Sequence, residues 1–411
     1  MLARRMLGFA AMPALSLIST VAVLPAVSHN FGQAGWTAVA FGQSVGAAVA
    51  VGASLHWPIE GANEIAGHPA HRVAIYRHSL RQRARAMLVL VVPMVVFTAL
   101  VGPGDGLVRT LSAIAASAAS LSPALLFTGT GDATRFVLVE GMPRLVANLV
   151  AIALLLTTPF LWIYPVLLFA GVMASLVLTD QYVRQLPDQL EDLPRIAPWT
   201  SVALATTAQV VNAGQLYLLG PLIQIVSPAI YPVFAAGDRI GKVLLNGLAA
   251  VPAAFQAWVG SAEPAVRRQR ARQASVVVTA VAALTAVGTG AAVPLVGDFL
   301  FAGTVDLAPF AWLIGAGIGL GFLNASLFLV GLVPQGNLRH TYLLLIAGAV
   351  VVPPATILGG LIGDLDGLYL GALSAVVALL VVQFRLIARP EKPEVPSQAS
   401  TVTPAGVEVG R

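Results

Sequence analysis

Five charged side chains stand a full helical turn or more from the ends of apolar stretches: Glu140, Arg144, Asp238, Arg239 and Lys242. A charge at the centre of a bilayer costs about 2.5–3.5 kcal/mol on insertion scales, so three cations facing lipid would cost roughly 8–10 kcal/mol. They must therefore face a bundle interior, a water-filled cavity or partners of opposite charge. Glu140–Arg144 and Asp238–Lys242 are acid-then-base pairs at i, i+4, the spacing that favours an ion pair on one helix face. Pairing could account for both, but Arg239 projects about 100° away from Asp238 on a helix and leaves that site net positive. A cationic centre within a membrane suits an anionic ligand, and the guanidinium fork matches phosphate oxygens. Gln209, Asn212 and Gln215 fall on one broad side of the helix before it, with Gln43 and Asn324 elsewhere. Such amides bind sugar hydroxyls or hydrogen-bond between helices.

Other chemistry finds little support. The chain has no cysteine, which removes disulfides, thiolate nucleophiles and cysteine-based metal sites. No paired histidines of a zinc protease occur, and Gly237 to Lys242 falls one residue short of a P-loop. His56, His68, His71 and His78 gather around the first basic loop and read as solvated or interfacial. No cofactor and no metal are expected.

The elements that must position the charges follow from composition. Of 411 residues, 57% are hydrophobic and only 10% charged, against about 25% in soluble proteins. Twelve spans of about 20 residues would use that apolar supply, so a polytopic all-α membrane protein is the expected fold class. Apolar segments fall at 7–28, 35–57, 86–103, 107–128, 136–158 and 160–179, then at 199–221, 229–258, 274–297, 307–331, 341–363 and 366–388. The 27 prolines fit kinked membrane helices better than soluble ones. Arg4 and Arg5 precede an apolar run longer than a signal core, so the first segment reads as a retained helix.

Basic residues test the count. With a cytoplasmic N-terminus, of the 23 Lys and Arg only Arg109, Arg144, Arg239 and Lys242 fall away from the cytoplasmic side. Asp105, Asp298, Asp306, Asp364 and Asp366 fall on outer loops. Such asymmetry orients membrane proteins and puts both termini in the cytoplasm, so the +5 charge signals topology rather than nucleic acid. The longer loops, 58–85, 180–198 and 259–273, are all cytoplasmic, and no outer loop is long enough for a domain. Arg81-Gln82-Arg83-Ala84-Arg85 recurs as Arg268-Gln269-Arg270-Ala271-Arg272, in each case between the second and third helix of a six-helix series. The expected organisation is thus a six-helix lobe over 1–195, a second over 196–388, and a disordered cytoplasmic tail over 389–411. Transporters use paired lobes of this kind around a central site.

Asn30-Phe31-Gly32-Gln33-Ala34-Gly35-Trp36, continuing to Phe41-Gly42-Gln43-Ser44, resembles the first-to-second helix passage of bacterial polysaccharide flippases of the Wzx type. Ser122-Pro123, Phe127-Thr128-Gly129-Thr130-Gly131 and Pro143-Arg144 are similar to the fourth-to-fifth passage of that family, and Tyr231 through Lys242 to its eighth helix. The resemblance implies the multidrug-exporter-like fold, two six-helix lobes enclosing a cavity that opens alternately to each side. It also implies a bacterial plasma-membrane protein that turns an undecaprenyl-diphosphate-linked oligosaccharide to the outer leaflet for cell-surface polysaccharide synthesis. Its partners would be the polyprenyl-diphosphate-linked glycan and membrane lipid, with a polysaccharide polymerase and glycosyltransferases as further candidates. The expected ligands are Arg239 and Lys242, with Arg144 as a further candidate and Asp238, Gln209, Asn212 and Gln215 beside them. No bond is made or broken, so no enzyme is expected. The alternatives are a cation-coupled drug exporter of the same fold, a membrane glycosyltransferase or polymerase, and a non-transporting scaffold. Many such exporters carry an acid on the first helix, and residues 7–28 contain none.

Overall fold

A computed structural model describes residues 2–186, 199–260, 264–332 and 338–388. The tail expected over 389–411 lies outside the described residues. The described chain is helical, as a backbone in hydrocarbon must be to satisfy its own polar groups. In order, the helices are α1 (Leu2–Ser54), α2 (Trp57–Gly67), α3 (Arg72–Leu100), α4 (Gly106–Ser117), α5 (Ala124–Thr130), α6 (Ala133–Phe136), α7 (Met142–Thr157) and α8 (Ile163–Arg184). They continue as α9 (Trp199–Ala213), α10 (Leu219–Val226), α11 (Tyr231–Leu248), α12 (Ala250–Gly260), α13 (Pro264–Phe301), α14 (Ala311–Leu327) and α15 (Leu338–Ala388).

Eight helical stretches of the described chain are long and apolar enough to cross a membrane. Two of them are broken. α1 bends at Gly32, whose φ of 62° suits glycine, and Val23, Leu24 and Val27 of one arm face Trp36, Val39 and Ala40 of the other across a small void. α15 breaks at Gly363 and Asp364, and its arms meet where Val352 packs with Ala375 and Leu379. The α9–α10 and α11–α12 passages carry the amides and central charges, which makes them more polar. Each of the twelve expected segments thus has its helical passage. Leu88, Val89, Val92 and Leu100 on α3, and Leu284, Leu295 and Phe299 on α13, stand exposed on outward faces where lipid would cover them. The chain is a multi-pass membrane protein.

Two regions expected as loops are instead structured. Residues 58–85 form α2 and the first turns of α3, and α13 begins at Pro264. The paired Arg motifs both open the third long helix of their series, yet their middle arginines differ. Arg83 is 3% exposed, whereas Arg270 lies over the Trp258 ring and donates to the Trp258 carbonyl at 3.0 Å. His56 is not solvated: it is 4% exposed and lies against Trp57. Arg109, expected near the outer surface, is buried. Its guanidinium caps the end of α3, donating to the carbonyls of Thr98, Ala99, Gly102, Pro103 and Gly104.

The apolar cores divide unevenly along the bundle. At the end bearing Asp105, Asp298, Asp306 and Asp364, one core joins the early and late helices: Val27, Trp36, Phe41, Leu155 and Tyr164 pack with Tyr231, Leu300, Phe301, Leu307 and Leu368. At the Arg-rich end the cores are separate. Trp57, Ile65, Ile75 and Val183 form one, and Val259, Ala274, Leu327 and Ile387 form another. The acidic end is therefore closed and the basic end split.

Close approach of α1 to α4 holds the early helices together. A Cβ on Gly42 would sit 2.2 Å from the Arg109 carbonyl oxygen, and one on Gly46 2.2 Å from that of Ala113. Gly42→Ala should therefore force α1 off α4 and destabilise the protein by about 1–3 kcal/mol. Folded abundance after detergent extraction measures this, and a wild-type yield would show that the spacing can relax.

Candidate functional site

Between the split cores lies a cavity of about 1210 Å³. Its wall takes Gln43 and Ser44 from α1, Ala115 and Ala116 from α4, Arg144 and Asn148 from α7, and Tyr164 from α8. The later helices supply Gln215 and Tyr217, Asp238, Arg239, Lys242 and Asn246 from α11, Gln256 from α12, and Asn324 from α14. It reaches toward the basic end as far as Pro252 and Gln256.

On one wall, a π-helical turn at Val137–Gly141 joins α6 to α7 and carries Glu140. Glu140 pairs with Arg144 at 2.7 Å, but the two are not equivalent: the Glu140 side chain is 4% exposed and that of Arg144 32%. Glu140 also accepts from the Ser122 hydroxyl at 2.6 Å and lies within electrostatic reach of Arg83. Arg83 in turn donates to the Ser120 and Ser122 carbonyls at 2.8 and 2.9 Å, and to the Ser79 hydroxyl at 3.1 Å. A buried carboxylate thus stands between two arginines, bonded directly to Arg144 and in the field of Arg83, and the three groups together carry one net positive charge.

From the later helices, α11 turns Asp238, Arg239 and Lys242 toward the cavity. Lys242 pairs with Asp238 at 2.5 Å and lies 5.0 Å from the centre of the Tyr217 ring. Arg239 is left with no carboxylate among the described residues. Its Nη1 donates to the Gln43 carbonyl oxygen, and its buried Nε has no partner. This group also carries one net positive charge.

The cavity therefore brings together Arg144, Asp238, Arg239, Lys242 and Gln215 of the expected ligands. Gln209 does not line it, and its buried Nε2 has no partner. The side chain of Asn212 lies outside the described residues. A π-helical turn at Gly214–Leu218 follows these two residues, and its wider turn breaks the uniform 3.6-residue count that put all three amides on one side. Sequence reasoning missed Arg83, Asn148, Tyr164, Tyr217, Asn246 and Gln256. For Arg83 the signal was hidden in a run of arginines that read as a solvated loop.

No protein-family model matches the sequence, and no curated protein matches it. Solved structures do. One, described as the inward-facing conformation of a multidrug resistance MATE family transporter of the MOP superfamily, superposes at TM-score 0.63 with 14% identity, over 93% of this chain and 98% of the other. The fold is that of the MATE transporters. An outward-facing conformation of a MATE transporter superposes at TM-score 0.57 with 15% identity, over 93% and 94% of the two chains. A MOP superfamily transporter from Pyrococcus furiosus, described by a reversed polarity of its binding pocket that suggests a different function, gives TM-score 0.56 and 16% identity over 93% and 94%. Within this MATE fold the cavity wall is cationic. Among its described lining residues Asp238 is the sole carboxylate, and Lys242 occupies it.

Proposed function

We propose that the protein is an alternating-access flippase that carries an undecaprenyl-diphosphate-linked oligosaccharide from the cytoplasmic to the outer leaflet. The observation that carries this reading is that two charged groups at one large cavity, Glu140 with Arg83 and Arg144, and Asp238 with Arg239 and Lys242, each sum to one net positive charge, with Arg144, Arg239 and Lys242 on the wall. Two phosphates joined by a bridging oxygen present several anionic acceptors, which suits guanidinium forks approaching from two helices. Asn148, Gln215, Asn246, Gln256 and Asn324 supply amides for sugar hydroxyls, and the polyprenyl chain stays in lipid. By the basic-residue asymmetry the split end faces the cytoplasm, where such a lipid-linked glycan is built. The two halves then act as two lobes that rock about the closed end. No covalent step is involved.

The cation-coupled exporter is the weaker reading, because a cationic drug needs a free acid in the cavity and Asp238 is already paired. Reversed pocket polarity was taken to suggest a different function for the Pyrococcus furiosus protein, and pocket charge likewise separates the two readings here. Deleting the gene should abolish the surface polymer and leave lipid-linked oligosaccharide on the cytoplasmic leaflet, with a wild-type copy restoring export. A deletion strain with normal polymer and heightened sensitivity to cationic drugs would favour the exporter.

A further inference from the structure

At the closed limit of the cavity a chain of hydrogen bonds crosses from the late helices to the early ones. Arg239 on α11 donates to the Gln43 carbonyl on the second arm of α1, and the Gln43 amide donates to the Tyr164 hydroxyl on α8 at 3.3 Å. The other described charges of the cavity wall are held within their own helix, Arg144 by Glu140 and Lys242 by Asp238. Arg239 alone among them is held across the two halves. It also lies between two spaces, the large cavity on one side and the small void lined by Val27, Trp36 and Tyr164 on the other. That void borders the core in which Trp36 packs on Phe301 and donates to Thr304 at 3.3 Å. Arg239 therefore stands where the cavity meets the closed end.

We propose that Gln43 is a displaceable ligand of Arg239: a phosphate oxygen of the bound lipid takes its place, and the loss of this cross-half tie lets the closed end part. The inference rests on the anion reading above. An amide carbonyl is a neutral acceptor that occupies one N–H of the guanidinium. An ionised phosphate makes shorter, stronger bonds and can take two N–H groups at once. Exchange is therefore favourable for an anionic acceptor and not for a neutral sugar. An empty carrier keeps its tie, so opening is reserved for the loaded one.

The chain has no native cysteine, which leaves a clean background for labels at Ala34→Cys and Ala308→Cys, both exposed positions at the closed end. Spin–spin distances in lipid nanodiscs, with farnesyl diphosphate as the probe, read the state of that end. The wild-type protein should show one short distance alone and gain a longer population with the probe. Gln43→Ala should raise the open-to-closed ratio of the unliganded protein by about tenfold or more, since it removes a hydrogen bond to a charged group. Gln43→Glu, of the same shape but ionised, should hold the short distance at a probe concentration that opens the wild type. Because it preserves side-chain volume, it also serves if the alanine variant does not accumulate. An unliganded Gln43→Ala distribution like that of the wild type would overturn the proposal, and so would a Gln43→Glu protein that opens as readily. If the wild type binds no farnesyl diphosphate while Gln43→Ala still opens, the anion reading and the displacement both fall, and Gln43 remains only a tie.

Discussion

Arg239→Ala is expected to reduce translocation of the lipid-linked glycan by at least about tenfold, at near-normal abundance in the membrane. A hydrogen bond to a charged group contributes about 1.5–3 kcal/mol, and each 1.36 kcal/mol is a factor of ten. Abundance should hold because Arg239 has no carboxylate partner to strand, and the Gln43 carbonyl it leaves can turn to cavity water. Lys242→Ala should behave differently. It removes the same single charge but also strips Asp238 of its direct partner, leaving an unpaired carboxylate where the diphosphate would lie. Its transport loss should therefore exceed that of Arg239→Ala, and Asp238→Asn/Lys242→Ala should recover part of it. Arg239→Lys keeps the charge without the fork and should fall between wild type and alanine. Export of surface polymer, normalised to membrane abundance, gives the ranking. Normal export by the double Arg239→Ala/Lys242→Ala variant would remove α11 from the mechanism.

The three residues of the other charged group should separate structure from transport. Arg83→Ala is expected to be the most destabilising, by about 3–5 kcal/mol, because it strips buried carbonyls of their donors and takes a cation from the field of buried Glu140. Glu140→Gln should cost less, since an amide still accepts from Ser122 while the half-exposed Arg144 can turn to water or a bound anion. Arg144→Ala should cost least in abundance, as Glu140 keeps both the Ser122 hydroxyl and the field of Arg83, yet it should impair export. If Glu140 and Arg144 merely neutralised each other, the two single variants would lose abundance equally and the double variant would recover both abundance and export. Parallel measurement of membrane abundance and polymer export decides between the two patterns.

Much of this architecture was legible from residue types alone. The scarcity of charge forced membrane helices, and the one-sided placement of arginine supported their number. Charges too costly to face lipid had to face a cavity, and that alone singles out Arg144, Asp238, Arg239 and Lys242. What stayed hidden depends on long-range packing or on local departures from helical regularity. Arg83 sits among four other arginines of one segment, and only the backward extension of α3 to Arg72 buries it against the Ser120–Ser122 turn. Gln209 and Gln215 part company because a π-helical turn begins between them. Tyr164 meets Gln43 across 121 residues, a pairing that no spacing rule predicts. Arg109 read only as a charge away from the cytoplasmic side, because nothing in its neighbourhood announces that the end of α3 folds back over it.

The closed end has a further meaning for the membrane that holds it. A cell that stores energy as an ion gradient cannot tolerate a wet passage joining its two faces, and a cavity of about 1210 Å³ is most of such a passage. What completes the insulation is the apolar plug of Trp36, Phe301, Leu307 and their neighbours, all buried. If the proposed turning of a large, hydrated head group is to proceed without discharging the cell, a matching plug must form at the basic end before this one parts. The two separate cores there, around Trp57 and around Leu327, are the halves from which it could be assembled.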